Sequence, residues 1–105
     1  HYYDSIISVC ETKDFYWDKS GKPINFSIGS KPRTQDMQSW YVENGAFYIT
    51  SKEDFFKNNN LINGKVGFVS MSKIDSVDID DYEDLEFART ILNGKKWRTN
   101  IWKEY

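Results

Sequence analysis

The chain has 105 residues, of which 39% are hydrophobic and 29% charged, a composition typical of one folded domain, or part of one, rather than of a disordered chain. Its formal net charge is −2, from 14 basic and 16 acidic residues that are well mixed. Because no basic stripe is present, binding to a nucleic-acid backbone is not expected. No apolar run approaches the roughly 20 residues needed to cross a bilayer, so no membrane partner is expected.

The aromatic content is high, at 17%, which predicts either a ligand or partner surface or a core filled with large rings. A single cysteine, Cys10, cannot form an internal disulfide, which fits a reducing compartment such as the cytoplasm. It has no basic neighbour that would activate it, so we expect a buried thiol rather than a nucleophile. His1 is the single histidine, which argues against a His-based triad or a zinc site within the chain.

The first half of the chain predicts a buried strand followed by a hairpin. Residues 4–9 have a short apolar core that suits a strand buried on both faces. The turn-forming residues at 18–23 and the period-two alternation at 24–28 predict a hairpin, and residues 29–32 predict a loop. Asn44-Gly45 predicts a turn that enters a strand ending at Thr50.

The second half alternates strands with helices. Ser51 predicts the N-cap of a helix that runs from about Lys52 into the asparagines at 58–60, and residues 65–71 predict another strand. This alternation indicates an α/β fold with at least some parallel pairing. The first strand reads as a central strand with nothing before it to cover its faces, which predicts that the chain is part of a larger sheet.

The last predicted element is an amphipathic helix. Residues 77–80 predict an extended segment, and Asp81 predicts the helix N-cap. One helical face carries four apolar residues, and Asn93-Gly94 predicts the C-terminal stop. The apolar residues of this face are Leu85, Ala88, Ile91 and Leu92.

Asp78 and Asp80 form the pattern with the clearest chemical meaning. On a strand, side chains two residues apart point to the same face, so both carboxylates would project together and repel each other. A divalent cation would neutralise them, and Mg²⁺ typically takes one or two protein carboxylates with water and phosphate oxygens. Solvation of both carboxylates at a strand end explains the same pattern equally well.

A second pattern joins Arg33, Gln35 and the Asn44-Gly45-Ala46-Phe47-Tyr48 segment. Arginine can hold a carboxylate through two parallel hydrogen bonds, and glutamine can recognise amides and hydroxyls. Asn44 follows Gln35 by nine residues. Each of these residues taken alone is equally consistent with a surface loop.

In their order and spacing, these segments resemble the C-terminal half of the acylneuraminate (CMP-sialic acid) cytidylyltransferases. The resemblance covers roughly residues 4–93, and its most specific parts are the spacing from Arg-x-Gln-Asp to Asn-Gly-Ala-Phe-Tyr and the Asp-Ile-Asp motif. The segments that carry it are 5–9, the predicted hairpin, 33–36, 43–49 and 76–80.

The resemblance implies a Rossmann-like α/β nucleotidyltransferase fold and a cytoplasmic homodimer that transfers CMP from CTP to a nine-carbon 2-keto sugar acid, with Mg²⁺, releasing pyrophosphate. It implies metal binding by Asp78 and Asp80 and substrate binding by a second group of residues. The predicted hairpin, about residues 10–28, would be a dimerisation extension. Residues from about 95 to 105 are expected to form a flexible tail. The implied substrate-binding residues are Arg33, Gln35, Asn44 and Phe47.

The chain departs from the family pattern in two places. Many members have an arginine immediately before the glutamine, where this chain has Thr34, so the sugar acid (sialic, legionaminic or pseudaminic) stays open. The glycine- and lysine-containing loop that binds the triphosphate is absent from these 105 residues. We therefore expect one partial domain that is inactive alone, with a carbohydrate-binding or dimerisation module as the alternative.

Overall fold

The computed structural model describes residues 2–94, and within them it has a mixed α/β fold, which confirms the predicted class. The predicted tail at about 95–105 lies outside the described residues. A three-stranded sheet and two α-helices form the main elements of this part of the chain. They are β1 (Ser5–Thr12), β2 (Trp40–Thr50), α1 (Lys52–Asn58), β3 (Val66–Met71) and α2 (Tyr82–Gly94).

Strand β1 lies in the centre of the sheet, as its sequence predicted. The strand order is β2-β1-β3, with β1 antiparallel to β2 and parallel to β3, so the predicted parallel pairing is also confirmed. Ser5, Ser8 and Val9 are each only 1% exposed. The short apolar core of β1 therefore has the two-sided burial expected of a central strand.

The hydrophobic core is small. Within residues 2–94 the buried apolar side chains are Ile7, Val9, Cys10 and Met37, so the prediction of a buried Cys10 thiol is confirmed. Tyr41 of β2 contacts Phe68 of β3, with ring centroids 5.3 Å apart, yet both remain about half exposed. The sheet thus keeps large apolar side chains accessible on its surface.

Helix α1 forms where its capping residues predicted. Ser51 Oγ accepts a hydrogen bond from the Asp54 backbone N–H at 3.1 Å, which satisfies one of the free donors of the first turn. At the other end Asn59 takes a left-handed conformation with φ 52°, which ends the helix as asparagine often does. Both signals are local, so they act independently of the sheet.

Helix α2 starts as predicted, and within the described residues it ends at Gly94, the second residue of its predicted stop. Asp81 Oδ1 accepts from the Asp84 N–H at 2.8 Å, and the helix includes both Asn93 and Gly94. Of the predicted apolar face, Leu92 is 67% exposed, and no residue of α2 is fully buried. No helix in the described part of the chain has the length and apolar character required to cross a membrane.

The predicted hairpin forms its turn, but the strand predicted over 24–28 is wrong. The Asp18 carboxylate accepts from the backbone N–H groups of Ser20 and Lys22, both at 2.9 Å, and only one isolated bridge, between Trp17 and Pro23, follows. The Asn25 side chain bonds to the backbone N–H of Tyr16 and to the backbone carbonyl of Asp14, both at 2.9 Å. These side-chain bonds connect the two arms of the turn in place of a strand ladder, and a short 3₁₀ turn follows at Ile28–Ser30.

The extended segment predicted over 77–80 does not form a strand of the sheet, although the backbone of Val77 is extended. β3 is followed by a 3₁₀ turn at Ile74–Ser76, and residues 77–81 form an irregular connection to α2. Ser72 Oγ accepts from the Asp75 N–H at 3.1 Å, and Ser76 Oγ donates to the Ser72 carbonyl at 2.6 Å. These serine bonds favour a turn over a strand. Asp78 and Asp80 therefore do not project from one face of a strand.

Candidate functional site

A large bulge in β2 organises the region where the predicted site residues meet. Ile7 pairs with Tyr48 and Val9 pairs with Glu43, so residues 44–47 all lie opposite Ser8 alone. Extra residues on one strand bend it and redirect its side chains, a device common beside functional sites. The predicted turn at Asn44-Gly45 is therefore an interruption within one long strand rather than a turn before a strand.

Two buried polar side chains hold the bulge in place. Ser8 Oγ accepts from the Phe47 N–H at 2.9 Å and donates to the Phe47 carbonyl at 3.2 Å, replacing the backbone bonds that the register shift removes. Asn44 Oδ1 accepts from the Ala46 N–H at 3.1 Å, and its Nδ2 donates to Ser76 Oγ at 3.0 Å. Asn44, only 8% exposed, therefore ties the bulge to the turn after β3.

Gly45 brings the bulge close to Asp78. Its φ of +74° lies in the left-handed region, which glycine adopts without the steric cost that a β-carbon imposes. A β-carbon at this position would lie 3.3 Å from Asp78 Oδ2. The Asp78 carboxylate therefore lies directly against the backbone of the bulge, although Gly45 and Asp78 are far apart in sequence.

Tyr48 and Glu43 add a second polar pair at the base of the bulge. The negative charge of Glu43 raises the pKa of the Tyr48 phenol above 10.0, partial desolvation and a hydrogen bond to Glu43 act in the same direction, and the Asp78 charge makes a smaller contribution. Negative charges disfavour a tyrosinate because the two like charges would repel. Tyr48 is thus a neutral hydroxyl at neutral pH, beside two carboxylates.

The structure brings together only some of the residues that the sequence predicted for the site. Asn44, Phe47 and Asp78 all lie at the bulge. Arg33 instead forms an exposed ion pair with Asp36, 2.9 Å between Nε and Oδ2. Such exposed pairs contribute little to stability, so this one would not prevent Arg33 from binding elsewhere.

The two remaining predicted residues lie on separate elements. Gln35 lies on the exposed 3₁₀ turn Thr34–Asp36. Asp80 lies near the end of the connection into α2, where its backbone N–H donates to Asp84 Oδ2 at 3.0 Å. Neither side chain makes a described contact with the bulge.

The acidic residues can supply oxygen ligands, but few of them. Within residues 2–94, no group of three or more His, Cys, Asp or Glu side chains is arranged to hold a metal ion. A site based on Asp78 and Asp80 would therefore have at most two protein carboxylates. Mg²⁺ commonly binds one or two protein carboxylates and takes water and phosphate oxygens for its other positions, so the number of carboxylates is compatible with this ion.

Sequence reasoning missed Ser8, Glu43, Tyr48 and Ser76. Ser8 had one recognisable signal, a hydroxyl residue in the middle of an apolar central strand, where a buried polar group needs a partner. Glu43 and Tyr48 carried no such signal, because their proximity depends on the bulge.

Comparison with known proteins gives a partial similarity. No protein-family profile matches the chain. It is 32% identical over 85 residues to an N-acylneuraminate cytidylyltransferase of Oncorhynchus mykiss, covering 74% of the chain and 19% of that protein. It is 28% identical over 82 residues to N-acylneuraminate cytidylyltransferase B of Danio rerio, covering 71% of the chain and 19% of that protein. The chain thus spans about a fifth of the length of these curated relatives.

Proposed function

We propose that this chain is part of a nucleotidyltransferase that transfers CMP from CTP to a sialic-acid-like 2-keto sugar acid and releases pyrophosphate. The observation that carries the proposal is the contact between Asp78 and the Asn44-Gly45 bulge. These two motifs are far apart in sequence, and both belong to the resemblance described above. The partial similarity to two proteins named as N-acylneuraminate cytidylyltransferases supports the same activity.

In this proposal Asp78 and Asp80 hold Mg²⁺, which would withdraw charge from the phosphates as pyrophosphate leaves. Asn44 and Phe47 contribute to the sugar side of the site, and the bulge keeps both in place through Ser8 and Ser76. A bulge fixed by buried hydrogen bonds suits this role, because binding groups act best when they are already positioned.

Arg33 and Gln35 would complete the sugar side. Both lie on an exposed segment, and Arg33 would leave Asp36 to bind the sugar carboxylate. Arginine favours such planar bidentate contacts.

We further propose that the chain is one partial domain of a Rossmann-like nucleotidyltransferase that acts as a homodimer in the cytoplasm. The segment at about 10–28 would serve as the dimerisation extension. The sheet has exposed apolar side chains, and exposed apolar patches commonly mark interaction sites. This exposure supports the proposal that another protein surface covers the sheet. Without the triphosphate-binding loop, the 105 residues would not catalyse transfer alone.

The test is pyrophosphate release from CTP in the presence of N-acetylneuraminic acid, measured on the protein that contains this chain and an intact nucleotide-binding loop. Asp78→Asn should reduce the rate at least about 100-fold, because it removes a metal-binding charge while conserving shape. Asp14→Asn, at an exposed aspartate away from the bulge, is the matched control. Full activity of Asp78→Asn would disprove the metal assignment.

A carbohydrate-binding or dimerisation module is the second candidate, favoured by the exposed rings of Trp40, Tyr41 and Phe68. Titration of the chain with N-acetylneuraminic acid, followed by tryptophan fluorescence, separates the two functions. Saturable binding without nucleotide or Mg²⁺ would favour a binding module. A dimer that shows no response to ligand would favour a dimerisation module.

A further inference from the structure

A cleft of about 520 Å³ opens where the parallel strands β1 and β3 both end. Its walls are formed by residues 10–13 and 70–73. In α/β sheets, ligands bind outside the carboxyl ends of the parallel strands, and the volume lies within the range of about 300–1,000 Å³ that is usual for ligand sites. The position and the size of the cleft both suit a small ligand.

The cleft carries positive charge. Lys13 and Lys73 line it, and neither forms an ion pair with another residue among 2–94. The acidic residue on the wall is Glu11, whose Oε1 already accepts a hydrogen bond from Ser39 Oγ at 2.5 Å. Glu11 keeps its negative charge when it accepts this bond, but two ammonium groups outnumber one carboxylate, and the positive excess favours an anionic ligand.

Hydroxyl groups of the cleft add hydrogen-bond donors. Ser72 Oγ accepts from the Asp75 N–H, which uses a lone pair and leaves its O–H free to donate. Ser70, also on the wall, supplies a second hydroxyl. Donors of this kind together with lysines recognise the oxygens of phosphates and carboxylates.

The cleft adjoins the bulge that holds the candidate functional site. Asn44 Nδ2 contacts Met71 Sδ at 3.3 Å, and Met71 lines the cleft. Ser76, which accepts from Asn44, donates to the carbonyl of Ser72, another wall residue. A ligand bound in the cleft would therefore lie next to the bulge.

We propose that this cleft is an oxyanion-binding site in which Lys13 and Lys73 hold a phosphate or carboxylate group. The proposal rests on the cleft itself and does not require that the chain take part in CMP transfer.

The experiment measures binding of inorganic pyrophosphate and, separately, of N-acetylneuraminic acid to the 105-residue chain by isothermal titration calorimetry at fixed ionic strength. The variant is Lys13→Gln/Lys73→Gln. The control is Lys22→Gln/Lys52→Gln, which removes the same charge from exposed positions outside the cleft. Far-ultraviolet circular dichroism verifies that both variants fold.

We expect saturable binding of at least one probe. The cleft variant should weaken this binding about tenfold or more, because loss of one charge-assisted hydrogen bond alone costs about tenfold in affinity. The control should change affinity less than about threefold, as expected for screened surface charge. Preference for pyrophosphate would identify a phosphate ligand, and preference for the sugar acid a carboxylate.

The proposal would be overturned if neither probe showed saturable binding, or if the control variant weakened binding as much as the cleft variant does. Because no CMP transfer is measured, this outcome is separate from a failure of the proposed transferase activity.

Discussion

Replacing Ser8 with alanine tests whether one hydroxyl maintains the bulge of β2. Ser8 is 1% exposed, and its hydroxyl makes two hydrogen bonds to Phe47, at 2.9 and 3.2 Å. Each such bond contributes about 0.5–1.5 kcal/mol net, and the substitution also leaves two partly buried backbone groups of Phe47 unpaired. We expect Ser8→Ala to lower the free energy of unfolding by about 2 kcal/mol.

The assay is urea unfolding followed by tryptophan fluorescence. Trp40 reports on the start of β2, where its ring stacks on Tyr16 with ring centroids 5.8 Å apart. With an m value of about 1–1.5 kcal/mol/M for a chain of this size, the midpoint should fall by about 1.5 M. Hydrogen exchange adds a local measurement, because the Phe47 amide should lose its protection.

The matched control is Ser30→Ala, at an exposed serine whose hydroxyl makes no hydrogen bond among the described residues. It should change the free energy of unfolding by less than about 0.5 kcal/mol. A loss for Ser8→Ala no greater than that of the control, with the Phe47 amide still protected, would refute the role given to this hydroxyl.

Two further predictions concern other positions. Gly64 has φ +58°, and a β-carbon there would clash with the Asp4 side chain, so Gly64→Ala should lower the free energy of chemical unfolding by at least about 2 kcal/mol. The control is Gly29→Ala, where a β-carbon meets nothing within 4 Å, and it should be nearly neutral. Equal effects of the two substitutions would contradict this reasoning. Glu43→Gln should lower the raised pKa of Tyr48 toward 10.0. The titration is measured as tyrosinate absorbance, and subtracting the absorbance of the matching Tyr48→Phe variant isolates the Tyr48 signal in the wild type and in Glu43→Gln. An unchanged pKa would contradict the interaction between Glu43 and Tyr48.

The raised pKa of Tyr48 also makes the stability of the folded chain depend on pH. Because the folded-state pKa is raised, the folded chain binds its phenolic proton more tightly than the unfolded chain. The resulting stabilisation is fully present below pH 10.0 and is lost as the pH rises through the folded-state pKa. The free energy of unfolding of the Glu43→Gln variant should decline less than that of the wild type as the pH rises through this alkaline range.

Local signals in the sequence predicted several elements correctly. The Ser51 and Asp81 caps depend on hydrogen bonds spanning three residues, so they can be read directly from the chain. The central position of β1 followed from its apolar core, since only a strand covered on both sides tolerates such a run. No strand forms at 24–28, where the Asn25 side chain bonds to the backbone of the distant Asp14, or at 77–80, which follows a turn closed by a bond between Ser76 and Ser72.

For the site, the sequence by itself determined which side chains are available: the amide of Asn44, the flexibility of Gly45 and the carboxylate of Asp78. The tertiary structure decided which of them meet. The β1–β2 register places residues 44–47 opposite Ser8, and the turn after β3 carries Asp78 to Gly45. Strand register depends on pairing between distant segments, and therefore short sequence patterns could not reveal these contacts.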